Sequence, residues 1–303
     1  MAFNSKLKIQ NSKFRWALAI FFLFGALFSK LSAEDHRIPP RRVISMAPNL
    51  TEIVYDIGAK DLLVGVTDFC KFPPEAQNKE KIGGWINPNY EKILSLKPDL
   101  VLALKFHGKA VENLKKLNVP VLVQDCQTVE DVLSAYDVLG KVLGREEAAR
   151  KAKAMLAAKL QKIRAAPSQG PPVTILFVVD RTPGALDQIY GVGPHNFVDA
   201  LIRWTGGVNM LSDSSIPYPL VSKEQLLKRD PEVIVNALPS AHGRPEEVLR
   251  ETAVWDSLPA LRAVKNHRVY CFGKDEYLIP GPSMVGLGEF LSDVFKKARV
   301  QKN

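Results

Sequence analysis

Two stretches of the chain correspond residue for residue at a distance of 133 positions. Residues 91–102 and 224–235 each run from a glutamate through an apolar pair and a proline into a β-rich segment, without a gap. A looser match precedes each block, where a proline leads, through an asparagine, into a helical pattern that a glycine ends. Because both segments recur in the same order, we predict two structurally equivalent lobes rather than one continuous sheet.

Each half alternates short β-rich runs with helical patterns, which is typical of an α/β lobe with a mostly parallel sheet. Between the halves, residues 146–165 form a helical pattern with one apolar stripe and one charged face. We therefore predict an α/β protein of two Rossmann-like lobes joined by one long rigid helix, with a ligand cleft between them. The predicted boundaries are 34–144 for the N-terminal lobe, 145–170 for the connecting helix and linker, and 171–303 for the C-terminal lobe.

The first 33 residues have the order of a secretory signal peptide. They carry five basic residues and no acidic one, followed by an unbroken apolar run from Trp16 to Phe28. The alternative is a transmembrane anchor, but this run of 13 residues is shorter than the roughly 20 that a spanning helix needs. Small residues at the end of the segment predict cleavage after Ala33, and hence an exported mature protein.

Export changes the charge balance of the chain. The whole sequence has a formal net charge of +9, which by itself raises the question of a nucleic acid or an anionic membrane as partner. Without residues 1–33 the net charge is +4 on 270 residues, so we expect no nucleic-acid partner. Cys70, Cys126 and Cys271 remain, and an oxidising compartment allows one disulfide among them without choosing the pair.

The sequence lacks the common catalytic motifs, since it contains no G-x-S-x-G, H-E-x-x-H, P-loop or C-x-x-C. Residues 191–196 resemble a dinucleotide loop, but Asn196 replaces the third glycine, and a tight turn before a helix is the simpler interpretation. We predict no resident cofactor or metal. A hydrolase or chelatase that uses the same cleft is the competing class, and a metal site built from three histidines is a further alternative. The histidines are His36, His107, His195, His242 and His267.

Aromatic residues in loops are the stronger signal, because open α/β sheets bind ligands outside the carboxyl ends of their strands. Phe69 follows a predicted strand, Tyr190 ends the run DQIY, and Trp85 and Tyr218 lie in loops stiffened by glycine or proline. Tyrosine and tryptophan combine an apolar face with a polar edge, which suits a bulky amphipathic ligand. For each of these residues taken alone, packing in the core is the alternative to ligand binding. The tryptophans on helical patterns, Trp204 and Trp255, are assigned to the core.

Glu91 and Glu224 occupy equivalent positions in the first turns of their predicted helices. The helix dipole favours a carboxylate there, which explains both residues without any function. A pair of exposed acids, one on each lobe, is also a symmetric docking surface for a two-fold partner with basic residues. The residues by themselves leave both interpretations open.

Four segments carry a resemblance to a known family. RVISMAPNLTE at 42–52, FPPEA at 72–76, NYEKILSLKPDLV at 89–101 and YPLVSKE at 218–224 resemble the vitamin B12-binding proteins of ABC importers. Their wider family shares a rigid helical backbone between lobes and includes ferric-siderophore and haem receptors. The resemblance covers essentially all of the chain after residue 33. It implies a periplasmic receptor, expected to be a monomer, that delivers a small-molecule metal chelate to an ABC permease dimer in the inner membrane. A corrinoid is the first expected ligand, and a ferric siderophore or haem the second.

The resemblance also implies roles for single residues. Glu91 and Glu224 match the lobe-tip glutamates that dock onto arginines of the permease, and Trp85 matches a tryptophan that packs on the corrin. The sequence departs from the pattern where a second pocket tryptophan corresponds to Leu104 and a pocket arginine to Ile279. The remaining predicted ligand residues are Pro48, Asn49, Phe69, Tyr190, Tyr218 and Asp275.

Overall fold

The structure is a computed structural model, and it describes residues 38–165, 170–238 and 244–300. The predicted signal peptide at 1–33 and its cleavage position lie outside the described residues, as do His36 and His242. None of the helices in these three ranges combines the length and the apolar composition that crossing a membrane requires.

The N-terminal half contains a four-stranded parallel sheet with helices on both faces. Its strands are β1 (Val43–Ser45), β2 (Leu63–Val66), β3 (Leu100–Leu104) and β4 (Val121–Gln124), in the order β2-β1-β3-β4. Its helices are α1 (Pro48–Asp56), α2 (Tyr90–Ser95), α3 (Gly108–Lys116) and α4 (Val129–Val142). Short 3-10 turns lie at Lys60–Leu62, Pro74–Asn78 and Lys105–His107. The near-continuous apolar run of β3 is buried because helices cover both faces of this parallel sheet.

A single long helix, α5 (Glu146–Ala165), connects the two halves, with the bounds that the sequence predicted. Its apolar stripe is buried through Leu156, Leu160 and Ile163, and it packs against α4 and against the last helix of the chain. The polar face carries its lysines and arginines at the surface.

The C-terminal half contains a six-stranded mixed sheet. Its strands are β5 (Val173–Asp180), β6 (Ile189–Gly191), β7 (Gly207–Asn209), β8 (Leu220–Val221), β9 (Val233–Ala237) and β10 (Val269–Phe272). The order is β10-β9-β5-β6-β8, and β7 pairs with β5. The helices are α6 (Phe197–Trp204), α7 (Lys223–Arg229), α8 (Pro245–Ala253), α9 (Arg262–Lys265) and α10 (Met284–Val300), and 3-10 turns lie at Val254–Ser257 and Asp275–Leu278.

The two sheets share one parallel arrangement of four strands. In the C-terminal sheet the parallel pairs join β7 to β5, β5 to β9 and β9 to β10, which repeats the order β2-β1-β3-β4 of the other sheet. The corresponding blocks 91–102 and 224–235 therefore end in strands at the same position of each sheet. This confirms the predicted two-lobe α/β fold. The antiparallel strands β6 and β8 are additions that the sequence patterns did not predict.

The main hydrophobic core is continuous between the lobes, and α5 and α10 pass through it. Two smaller clusters cover the other face of each sheet. The described residues from Pro40 onward form one compact unit, so the exact lobe boundaries stay predictions. Trp255 is fully buried, as predicted, whereas Trp204 is half-buried and packs against the main core. All three cysteines are free thiols, and Cys70 and Cys126 are buried.

Candidate functional site

Five of the predicted ligand residues lie in or beside loops that border the strands of the two sheets. On the N-terminal lobe, Phe69 follows β2 and Trp85 lies in the turn before α2. On the C-terminal lobe, Asp275 follows β10, Tyr190 lies in β6 and Tyr218 precedes β8. Four of these residues lie in loops or turns, whereas Tyr190 is the middle residue of the strand β6, and the ligand contacts of all five stay predictions.

On the N-terminal lobe, a group of aromatic rings surrounds Trp85. The ring of Phe106 meets the Trp85 ring edge-on, with centroids 5.2 Å apart and planes at 89°. The His107 ring packs against both, with its centroid 4.4 Å from that of Phe106 and 6.0 Å from that of Trp85. Phe69 lies beside the same turn, close to Gly84. We call Phe69, Trp85 and Phe106 the aromatic surface. Phe69 is 50% and Phe106 is 62% exposed.

Phe106 is an exposed aromatic residue beside Trp85 that the sequence interpretation did not identify. The resemblance placed a missing pocket tryptophan at Leu104, but Leu104 is the last residue of β3 and is buried in the main core. Two residues later, the 3-10 turn Lys105–His107 presents Phe106 at the surface. An exposed ring thus lies two residues beyond the end of β3, and its position after a strand was the available signal.

The buried His107 ring lies in the same turn as Phe106. Its Nδ1 accepts a hydrogen bond from the backbone N–H of Leu104 at 3.1 Å. Burial lowers the pKa of His107 to about 4, so the ring is neutral at physiological pH. The hydrogen bond from Leu104 to this neutral imidazole fixes the turn that carries Phe106.

On the C-terminal lobe, the segments around Tyr190 and Tyr218 pair with each other. The backbone N–H groups of Gly191 and Gly193 donate to the carbonyls of Pro219 at 3.0 Å and Pro217 at 2.7 Å. A side chain on Gly193 would lie only 2.4 Å from the carbonyl oxygen of Ile216. The glycine-rich run thus serves close backbone packing, and Asn196 caps α6 by accepting from the N–H of Asp199.

Three contacts join the N-terminal lobe to residues 275–283 of the C-terminal lobe. Asn49 donates from Nδ2 to the carbonyl of Pro280 at 3.1 Å. Lys71 forms an ion pair with Asp275, with 3.0 Å between Nζ and Oδ2. Ser283 donates to Glu52 Oε2 from its backbone N–H at 3.1 Å and from its hydroxyl at 2.7 Å. Asn49 is buried, and its side-chain N–H bonds across this junction. Pro48 is half-buried. The ligand contacts predicted for both residues stay predictions.

A separate cavity of about 400 Å³ lies at the lobe junction. It is bounded by α1, the 72–74 segment, α5 and the turn at Pro282 and Ser283. None of the predicted ligand residues is among the described residues that line this cavity. Glu52 lies at the edge of this cavity. Burial raises the pKa of Glu52 to about 7, although two hydrogen bonds from Ser283 act to lower that pKa.

Glu91 and Glu224 have matching surroundings on the two lobes. Each is exposed in the first turn of a short helix, two residues after the capping side chain of Asn89 or Ser222. Within the described ranges, neither carboxylate has an ion-pair partner. In the same part of the chain no three His, Cys, Asp or Glu side chains approach closely enough to hold a metal ion.

Comparisons with known proteins agree with this architecture. The profile of a family described as "Periplasmic binding protein" matches residues 43–276. A vitamin B12-binding protein of Vibrio cholerae serotype O1 is 28% identical over 278 residues, which cover 91% of this chain and 96% of that protein. A vitamin B12-binding protein of Vibrio parahaemolyticus is 30% identical over 258 residues, or 84% of this chain and 88% of that protein.

Solved structures show the same fold. The crystal structure of the periplasmic vitamin B12 binding protein of Vibrio cholerae superposes with a TM-score of 0.74 at 28% identity, covering 88% of this chain and 99% of that one. A periplasmic heme-binding protein in complex with two hemes gives a TM-score of 0.73 at 25% identity, covering 85% of this chain and 98% of that one.

Proposed function

The chain belongs to the periplasmic binding protein family, and from this premise we propose that it is a receptor that binds a corrinoid between its lobes. It makes and breaks no covalent bond, acts as a monomer and delivers the corrinoid to an ABC permease dimer in the inner membrane. Relatives named for vitamin B12 over most of this chain support that choice of ligand. Residues 1–33 direct export, so the periplasmic protein should begin at Glu34, which mass spectrometry of the purified protein checks.

The aromatic surface formed by Phe69, Trp85 and Phe106 is the observation that carries the proposal. Phe69 and Phe106 expose their rings after strands β2 and β3, beside the half-buried Trp85, and exposed apolar patches in such loops mark binding sites. A large flat chelate buries both ring faces, and its polar substituents reach the Tyr190 and Tyr218 hydroxyls across the cleft. No metal ligand from the protein is required, because the chelate brings its own metal ion.

Calorimetric titration of the purified protein with cyanocobalamin, a ferric hydroxamate and haem tests the proposal. We expect cyanocobalamin to bind with a Kd of about 1 μM or tighter, equivalent to about 8 kcal/mol. Failure of cyanocobalamin to bind at micromolar concentration would overturn the corrinoid assignment.

Variants of the aromatic surface locate the site. Trp85→Ala and Phe106→Ala should each weaken cyanocobalamin binding about tenfold or more, since a stacked ring contributes 1 kcal/mol or so beyond its buried area. Trp204→Phe, which changes an aromatic residue outside the cleft, should bind as the unaltered protein does. Equal affinity in all three variants would place the ligand elsewhere.

Haem is the second candidate, and the exposed tyrosines favour it. A tyrosine oxygen is one of the known protein ligands of haem iron, and both Tyr190 and Tyr218 are partly exposed. If haem is the ligand, it should bind more tightly than cyanocobalamin, and Tyr190→Phe or Tyr218→Phe should change the Soret spectrum of the complex.

Docking to the permease rests on Glu91 and Glu224. Their exposure and equivalent positions support charge-assisted contacts with basic residues of a two-fold partner. Glu91→Ala with Glu224→Ala should abolish transport while leaving ligand affinity unchanged. Glu130→Ala is the matched control, because Glu130 is likewise exposed in the first turn of a helix. Loss of ligand affinity in the double variant would instead show that the two glutamates have a structural role.

A further inference from the structure

Two exposed leucines occupy equivalent positions on the two lobes. Leu94 lies in α2 and Leu227 in α7, and they are 42% and 44% exposed. Each follows the predicted docking glutamate of its helix, Glu91 or Glu224, by three residues. Because residues three apart lie on the same face of a helix, each lobe presents a carboxylate and an apolar side chain side by side.

The residue before each leucine anchors its helix to the lobe. Ile93 and Leu226 are fully buried, each in the smaller core cluster of its own lobe. Within the described ranges, neither Leu94 nor Leu227 belongs to a core cluster. Burial in the core therefore does not account for the two leucines.

The internal correspondence keeps the glutamate and the leucine while the residues around them change. Between residues 91–102 and 224–235, identical residues occur only at the glutamate, at the leucine and at the proline after the helix. The next exposed position differs, since Ser95 corresponds to Lys228. A single exposed leucine is ordinary on a protein surface. Its recurrence beside the glutamate on both lobes indicates a shared role.

The two helices also begin and end alike. Each N-cap side chain, Asn89 or Ser222, accepts from the backbone N–H three residues later, at 2.9 Å and 3.1 Å. A residue with positive φ follows each helix, Lys97 at 45° and Asp230 at 42°. Both helices therefore present the same pair of side chains with the same local geometry, as contact with two equivalent subunits requires.

We propose that Leu94 and Leu227 are the apolar part of the surface that docks onto the ABC permease, with Glu91 and Glu224 as its charged part. This inference rests on the proposed function, because it adds residues to the same docking contact. Exposed ion pairs alone contribute little and are weakened by salt, whereas protein interfaces combine a buried apolar centre with a polar rim. The partner that fits this surface presents, on each subunit, an apolar recess for the leucine next to a basic residue for the glutamate.

Uptake by spheroplasts of the source organism, prepared from a strain that lacks this gene, tests the docking surface. Purified receptor is added at increasing concentrations with radiolabelled cyanocobalamin, and the receptor concentration that gives half-maximal uptake is measured. Leu94→Gln with Leu227→Gln keeps residues of similar size and helix propensity. It should raise that concentration about tenfold through the lost apolar burial, and each single variant about threefold. The affinity for cyanocobalamin should stay unchanged.

Ionic strength separates the apolar part of the surface from its charged part. Glu91→Gln with Glu224→Gln should also raise the half-maximal concentration, and this factor should shrink as NaCl is added, because salt screens exposed charge pairs. The factor for the leucine variant should not shrink, because apolar burial involves no charge that salt could screen.

Leu117→Gln with Leu249→Gln is the matched control, because it changes one exposed leucine on each lobe outside α2 and α7. Leu117 follows α3 and is 42% exposed, and Leu249 lies in α8 and is 71% exposed. This variant should support uptake as the unaltered protein does. Leu94→Met with Leu227→Met keeps the apolar character and should do the same.

The possible failures can be told apart. Normal uptake with the leucine variant, while the glutamate variant is impaired, would overturn this inference alone. Normal uptake with both variants would overturn the proposed docking as well. A dimer of the unaltered protein in sedimentation, absent from the leucine variant, would assign the leucines to contact between two copies of the chain and so contradict the inference. Absence of cyanocobalamin binding to the unaltered protein would overturn the proposed function, and this inference with it.

Discussion

Gly207, at the start of β7, leaves no space for a side chain. A Cβ atom built there would lie 2.4 Å and 2.6 Å from two ring atoms of Phe295 in α10. Gly207→Ala should therefore lower the free energy of unfolding by about 1–3 kcal/mol, the usual cost of overpacking a core. Urea denaturation at constant pH measures this loss.

Gly108→Ala is the matched control for that substitution. No atom lies within 4 Å of a Cβ at Gly108, and alanine is the better helix former. We expect unchanged or slightly higher stability. Similar losses in both variants would mean that the cost arises from glycine's backbone freedom and not from the Phe295 ring.

Neighbouring glycines show how far single residues could be predicted from the sequence. Gly206, with a φ of +84°, ends α6 in a way that a local pattern reveals. The need for Gly207 depends on Phe295, which is remote in the chain, and no local pattern shows it. The same holds for the predicted ligand residues. Glycine and proline neighbours identified Trp85, whereas the pairing of Lys71 with Asp275 exists only once the lobes are assembled.

At the scale of elements, helix α5 has the most readable sequence. Its bounds agree with the prediction because its apolar stripe, polar face and proline-rich end are all local signals. Strands β6 and β8 were missed because they are two or three residues long and depend on pairing with β5 and with each other. Long-range pairing of that kind leaves almost no periodicity in the sequence.

The two faces of α5 predict opposite responses to truncation. Leu160 is 3% exposed and Met155 is 63% exposed. Leu160→Ala should lower the free energy of unfolding by about 2–5 kcal/mol through the lost contacts and the resulting cavity. Met155→Ala should change it by about 0.5 kcal/mol or less. Urea titrations of the two variants give the comparison, and equal losses would contradict the observed orientation of the helix.

For the whole molecule, the internal correspondence between residues 91–102 and 224–235 was the most informative feature of the sequence. It predicted two lobes with equivalent sheets, and it placed Glu91 and Glu224 at equivalent surfaces. It did not predict how the lobes meet, because residues 275–283 contact α1 and the 67–74 loop only in the folded chain. The junction is therefore where the structure adds most to the sequence.

The junction makes stability depend on pH through Glu52. The pKa of Glu52 is raised from 4.5 to about 7, mainly by burial and to a smaller extent by the carboxylates of Asp56 and Glu276, against the two Ser283 hydrogen bonds, which lower it. Because the folded protein holds this proton more tightly than the unfolded chain, the contribution to stability is complete below about pH 4.5 and is lost as the pH rises through 7. Each pKa unit corresponds to about 1.4 kcal/mol, so the effect is on the order of 3 kcal/mol.

Glu52→Gln keeps the shape of the side chain and removes its titration. The difference in unfolding free energy between Glu52→Gln and the unaltered protein should move in favour of the variant as the pH rises from 4.5 to 8. Urea denaturation at several pH values measures this difference, with Glu75→Gln, an exposed carboxyl, as the control. A difference that does not vary with pH would show that Glu52 is ionised throughout this range, with its charge stabilised by Ser283 alone.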